Sequence, residues 1–197
     1  MSLGMRPPAE FVALWSPPAP GAPQTPRETI NSPELSQSLC RRLGAGQVAR
    51  ADGLLTLGIF LDREKHLPAA AEIYRCRLSL RCRAPEVRYF LSNNLGFCLN
   101  ELGKYREAEG YCRIALEIDP SRHNAHKNLG VALEGLGRHA EALAYYLSAT
   151  ELFPADPRAL QLARGLLTRF PFLVEAAGPE VAEKARRLGA TGDGSVN

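Results

Sequence analysis

The chain has 197 residues, 24 Lys and Arg against 21 Asp and Glu, and a net charge of +3. That length holds one domain with a sizeable core plus tails, and so mild a charge does not by itself point to a nucleic acid or a membrane surface. No apolar run approaches the ~18 to 20 residues of a membrane span, so the expectation is a cytoplasmic protein with no membrane and no nucleic-acid partner.

Residues 1–33 are proline-rich. Pro17, Pro20, Pro23 and Pro26 recur every three residues, the period of a polyproline II helix, and the segment reads as a disordered spacer. Its apolar stretch from Phe11 to Trp15 is too short for an export signal. Ser32-Pro33 then reads as a cap-plus-proline start for a short helix over 34–43, inside a flanking segment 34–50. From residue 51 a pattern begins that repeats. Residues 51–88 give Leu54, Leu57-Gly58 and Leu61, followed by Ala70 and Tyr74. Residues 89–122 and 123–156 align on each other without a gap. They share Asn94/Asn128, Leu95/Leu129, Gly96/Gly130, Leu99/Leu133, Leu102/Leu136, Gly103/Gly137, Glu107/Glu141, Ala108/Ala142, Tyr111/Tyr145, Ala115/Ala149, Glu117/Glu151 and Pro120/Pro154. Those 12 identities in 34 positions compare with roughly two expected by chance.

One copy explains itself physically. Apolar residues from Tyr89 to Leu102 recur at three- and four-residue spacing and predict a helix. Gly103 ends it, because glycine accepts the left-handed conformation cheaply. A second helix is predicted over 105–118, with Ala108, Tyr111, Cys112 and Ala115 inward, stopped at Asp119-Pro120. Gly96 and Ala108 are small where two helices would cross closely. So short a pair cannot bury its own apolar face and needs a neighbour of the same shape. The offset from the first copy to the second is 38 residues rather than 34. The four extra residues are expected in a longer second helix or a wider turn after Tyr74. Downstream, 157–189 reads as capping helices, the first over 157–170 with Arg158, Gln161, Arg164 and Arg169 on a polar face, the second over 179–188. Residues 190–197 read as a disordered tail.

The repeat resembles the tetratricopeptide repeat family, whose pattern is W-x2-L-G-x2-Y, then A-x3-F, then P, at period 34. Leu95-Gly96, Leu99, Ala108, Cys112 and Pro120 match it in one copy. Leu129-Gly130, Leu133, Ala142, Tyr146 and Pro154 match it in the next. The family's first aromatic is replaced by Ser92 and His126. The resemblance covers 51–170 and implies an all-α fold: a right-handed superhelical solenoid of about three helix pairs with a terminal cap, whose first helices line a concave groove. It also implies a scaffold that binds a protein or peptide segment and does no chemistry.

Carried over residue by residue, the resemblance places Leu55, Thr56 and Ile59 on the groove side of the first copy. In the second it places Phe90, Asn93, Asn94, Phe97, Asn100 and Glu101 there, and in the third Asn124, Lys127, Asn128, Val131 and Glu134. The peptide-binding candidates are Asn94, Asn128, Asn93, Phe90, Phe97, Asn124, Lys127 and Val131. Asn94 and Asn128 each precede Leu-Gly, where family members use an asparagine to hold a ligand backbone. A side-chain amide donates and accepts at once and so suits any peptide group. The terminal-carboxylate clamp of some members does not carry over, because Leu55 and Ile59 fill its opening positions and no arginine completes it. An alternative reading is a module that assembles into a homo-oligomer or serves as a chaperone-like co-factor of a larger complex.

No residue set reads as catalytic, and no cofactor or metal site is expected. Arg75, Arg77, Arg81 and Arg83 read as the solvated side of a helix. Cys40, Cys76, Cys82, Cys98 and Cys112 lack CxxC spacing and read as small core residues of a reducing compartment. Gly135-Leu136-Gly137 follows a helix and reads as a turn, not a nucleotide loop. His126 replaces a packing aromatic and reads as a buried or interface residue.

Overall fold

The computed structural model describes residues 48–79, 84–176 and 178–190, without the side chains of 48–53, 56 and 188–190. The proline-rich segment, the helix expected over 34–43, Cys40, Cys82, Arg81, Arg83 and the tail beyond 190 lie outside the described residues. Among the described residues there are nine helices and no strand, in agreement with the all-α expectation. The chain divides into two units, Met1–Leu102 and Gly103–Asn197. None of the described helices is long and apolar enough to cross a membrane.

The first unit holds α1 (Val48–Arg63), α2 (Leu67–Ser79) and α3 (Pro85–Glu101). Helix α2 packs on both of its neighbours, and Ala70, Ile73 and Tyr74 of α2 are buried, as are Leu54, Leu57 and Leu61 of α1 and Leu91, Leu95 and Leu99 of α3. The Tyr74 ring lies where a side chain at Gly58 would stand, so the glycine is what lets α1 and α2 approach. Helix α1 ends with Lys65 at φ 63° and a His66 N–H donated to the Leu61 carbonyl at 2.8 Å. Gly137 fills the same register at φ 77°, with Arg138 N–H donating to Leu133 O at 2.9 Å. Lysine tolerates that left-handed backbone at a cost that glycine avoids. Lys65→Gly is therefore expected to stabilise the chain by about 0.5–1 kcal/mol, read as a higher urea midpoint with an unchanged slope.

The second unit holds α4 (Tyr105–Ile118), α5 (His123–Gly135), α6 (His139–Leu152), α7 (Pro157–Arg169), α8 (Leu173–Ala176) and α9 (Pro179–Ala190). Helix α4 packs on α5, α5 on α6 and α6 on α7, and α8 and α9 return against α6. The core joins Cys112, Leu129, Leu133, Ala142, Leu143, Tyr146, Leu147, Ala163, Leu166, Leu173 and Ala185. Helix α7 turns Ala159, Ala163 and Leu166 inward and exposes Arg158, Gln161, Arg164 and Arg169, the polar-faced cap that was expected. Charged side chains also link the helices. Glu109 of α4 accepts from Arg113 and from Arg138, which bonds Glu141 of α6 in turn.

Several expectations are corrected. The described part of α2 ends at Ser79, with 13 residues against 14 in α4, and residues 80–83 lie outside the described residues. Helix α3 has 17 residues against 13 in α5, an added turn before the Leu-Gly signature that starts at Pro85, not at 89. Proline suits that position because its missing N–H would be unpaired there anyway. Helix α8 was not foreseen. Arg77 is buried, not on a solvated side. Gly135 belongs to α5 itself, and the Tyr105 ring of α4 occupies the space its side chain would need. Cys98 and Cys112 are free and buried as expected, and burial pushes the Cys112 thiol up to about 12. Cys76, however, is disulfide-bonded and not a free core thiol.

Candidate functional site

In the first unit the candidates lie on α3. Leu91, Leu95 and Leu99 turn into the core, which leaves the neighbouring registers to form a polar and aromatic face. Phe90 is the most open of these, 37% exposed, and Phe97 is half-buried. Asn93 is buried and donates from Nδ2 to Asn94 Oδ1 at 3.2 Å. The half-buried Asn94 donates from Nδ2 to the Tyr74 hydroxyl at 3.5 Å. The chain Asn93–Asn94–Tyr74 orients the Asn94 amide and leaves it one N–H and one lone pair for other partners. Leu55 and Ile59 of α1 are half-buried, and the side chain of Thr56 is outside the described set. Asp62, which the sequence reading passed over, sits at the end of α1. Burial raises its carboxyl pKa, Lys65 opposes that rise, and Glu101 adds to it.

In the second unit the candidates lie on α5. Val131 and Asn124 are half-buried, whereas Lys127 and Asn128 are buried. Lys127 Nζ donates to Asn124 Oδ1 at 3.1 Å and to Asp156 Oδ2 at 3.3 Å. Asp156 is 5% exposed and stands at the N-cap of α7. Its Oδ1 accepts the Arg158 backbone N–H at 3.1 Å and Arg158 Nε at 2.8 Å, and its Oδ2 accepts Arg158 Nη2 at 2.9 Å. His123 Nε2 lies 3.6 Å from the same Oδ2, and its ring stacks on Phe153 at 4.7 Å. The Arg158 guanidinium, followed by its backbone N–H and Lys127, holds the Asp156 carboxyl well below the usual carboxylate range. Burial pushes the Lys127 ammonium pKa down, and Arg158 adds to that. Burial and then Lys127 do the same to His123. At the far end of α5, Glu134 accepts the Tyr146 hydroxyl at 2.7 Å and pairs with Arg169 of α7. His126 is half-buried rather than buried; it bonds Pro120 O at 2.8 Å through Nε2 and packs beside Tyr145.

The sequence reading missed Asp156, the group that organises the start of α5. Its signal was Asp156-Pro157, a cap residue followed by proline at the first helical position. No cluster of three or more metal-ligating side chains occurs among the described residues.

Residues 99–157 match the family model described as a tetratricopeptide repeat. No curated protein matches the chain. Solved structures of the same fold do. The Hsp90 co-chaperone Cns1 from Saccharomyces cerevisiae is 22% identical, with a TM-score of 0.58 over 72% of this chain. This chain spans only 44% of the length of that one. The first TPR of Spaghetti (RPAP3), bound to the HSP90 peptide SRMEEVD, is 22% identical, with a TM-score of 0.56 over 64% of this chain and 96% of that one. MamA from Desulfovibrio magneticus RS-1 is 20% identical, with a TM-score of 0.57 over 82% of this chain and 97% of that one. At these identities the likeness is one of fold.

Proposed function

We propose that this chain, a tetratricopeptide repeat protein, is a non-catalytic adaptor that holds an extended segment of a partner protein on the first-helix faces of its repeats. The observation that carries the reading is one of register. Asn94 and Asn128 each stand one residue before the buried Leu-Gly of a first helix, and Tyr74 and Asn93 orient the Asn94 amide. An amide so placed serves as donor and acceptor for a backbone peptide group whatever the ligand side chain. Phe90 and Phe97 flank Asn94 and offer apolar contact to alternate ligand residues. On α5, Asn124 and Val131 are the half-buried neighbours of Asn128, with Lys127 behind them. Two similar structures hold peptides, SRMEEVD in one and SGPTIEEVD in the second TPR domain of human RPAP3. Both support the class of ligand, a short segment of another protein.

Affinity capture followed by mass spectrometry supplies the segment, and Asn94→Ala and Asn128→Ala are then measured against it separately. Each is expected to weaken binding roughly 2- to 12-fold, the equivalent of one net hydrogen bond of about 0.5–1.5 kcal/mol, with far-UV helicity intact. Unchanged affinity in both variants would falsify backbone capture.

A further inference from the structure

The start of α5 and the cap of α7 place three nitrogen bases around one carboxylate. Lys127, Arg158 and His123 all face Asp156. Lys127 is buried and Asp156 is 5% exposed, so the pair is closed off from solvent. Arg158, with two-thirds of its side chain in solvent, gives its Nε and one Nη2 hydrogen to Asp156 as a fork. A planar fork on two carboxylate oxygens is the geometry by which arginine takes a carboxylate ligand. Here the carboxylate belongs to the chain itself.

We propose that Asp156 is a specificity-determining residue that occupies the place of a ligand carboxylate and closes the Lys127–Arg158 pair to acidic segments. The inference rests on the adaptor reading and narrows it: the segment held on α5 carries no carboxylate where it passes Lys127. An incoming carboxylate would meet donors already bonded and a like charge at close range. Repulsion of that kind is how a site rejects the wrong partner.

Because Asp156 also caps α7, the test uses Asp156→Asn and Asp156→Ser in the full chain, both of which keep a capping oxygen. The probe is N-acetylated hexaglutamate amide, followed by calorimetry at low salt. Both variants are expected to bind it at least tenfold more tightly than the wild type. Adding Lys127→Gln to either is expected to abolish that gain. Equal affinity in wild type and variants overturns the proposal, and so does a wild-type affinity that Lys127→Gln lowers tenfold. For a variant too unstable for calorimetry, acetate replaces the peptide. At fixed ionic strength against chloride, acetate is expected to raise the melting temperature of Asp156→Ser and leave that of the wild type unchanged. No rise overturns the proposal. The acetate arm needs no protein segment, so it succeeds or fails independently of the adaptor reading.

Discussion

Asp156→Ala is expected to destabilise the second unit by about 4–6 kcal/mol. Most of this comes from the partner left behind. Lys127 is buried with its Nζ on Asp156 and Asn124, and removing one member of a buried ion pair costs about 3–5 kcal/mol because the other charge stays uncompensated. The lost N-cap of α7 adds roughly 1 kcal/mol. Lys127→Met in the Asp156→Ala background is expected to recover a large part of the loss, since it removes the stranded charge and keeps apolar volume. A double variant no more stable than Asp156→Ala alone would show that the cap, not the pair, carries the effect. The pH dependence has a fixed sign. The folded-state pKa of Asp156 is depressed, so its stabilisation is fully present above the unfolded carboxylate value near ~3.9 and is lost as pH falls through the folded value. Urea midpoints of the wild type and Asp156→Ala should therefore differ most above pH 4 and converge in stronger acid.

Gly130→Val is the second large effect, expected to cost about 3 kcal/mol. A Cβ built at Gly130 falls 2.5 and 2.6 Å from two ring carbons of Tyr146 and 3.3 Å from the Ala142 carbonyl oxygen. Tyr146 is fully buried and its hydroxyl is held by Glu134 at 2.7 Å, so the ring has nowhere to go. Overpacking of this kind costs typically about 1–3 kcal/mol, and contact with both ring and backbone puts this site at the upper end. For a chain of this size that is a fall of roughly 6–12 °C in melting temperature. Tyr146→Ala alone should cost about 3–5 kcal/mol. In that background the further cost of Gly130→Val should shrink by at least 1 kcal/mol, because the two residues share one space. Additive effects would mean that the helices do not meet at this glycine.

The closeness of α5 to α6 was legible before any coordinates. Gly130 and Ala142 recur in register with Gly96 and Ala108, and repetition turns a single small residue into a packing rule. The second-helix bounds 105–118 followed from Gly103 and Asp119-Pro120, residues with strong local preferences. What stayed hidden depended on partners distant in sequence. Gly135 looked like turn chemistry because nothing local reveals that Tyr105 packs on it. Lys127 looked like an open groove residue because its carboxylate partner lies 29 positions away. The extra turn of α3 was not foreseen, since a change of period gives the length of an insertion and not the element that takes it up. The Cys76 disulfide was missed because spacing alone does not reveal which thiols meet.

The claim on which the rest depends is that first helices recognise and second helices pack. The direct test is an amide NMR titration of the full chain with the captured partner segment. The account predicts saturable shifts at Phe90, Asn94 and Phe97 on α3 and at Asn124, Asn128 and Val131 on α5, with α2, α4 and α6 unmoved. Shifts confined to α2, α4 and α6, with those six residues silent, would contradict it.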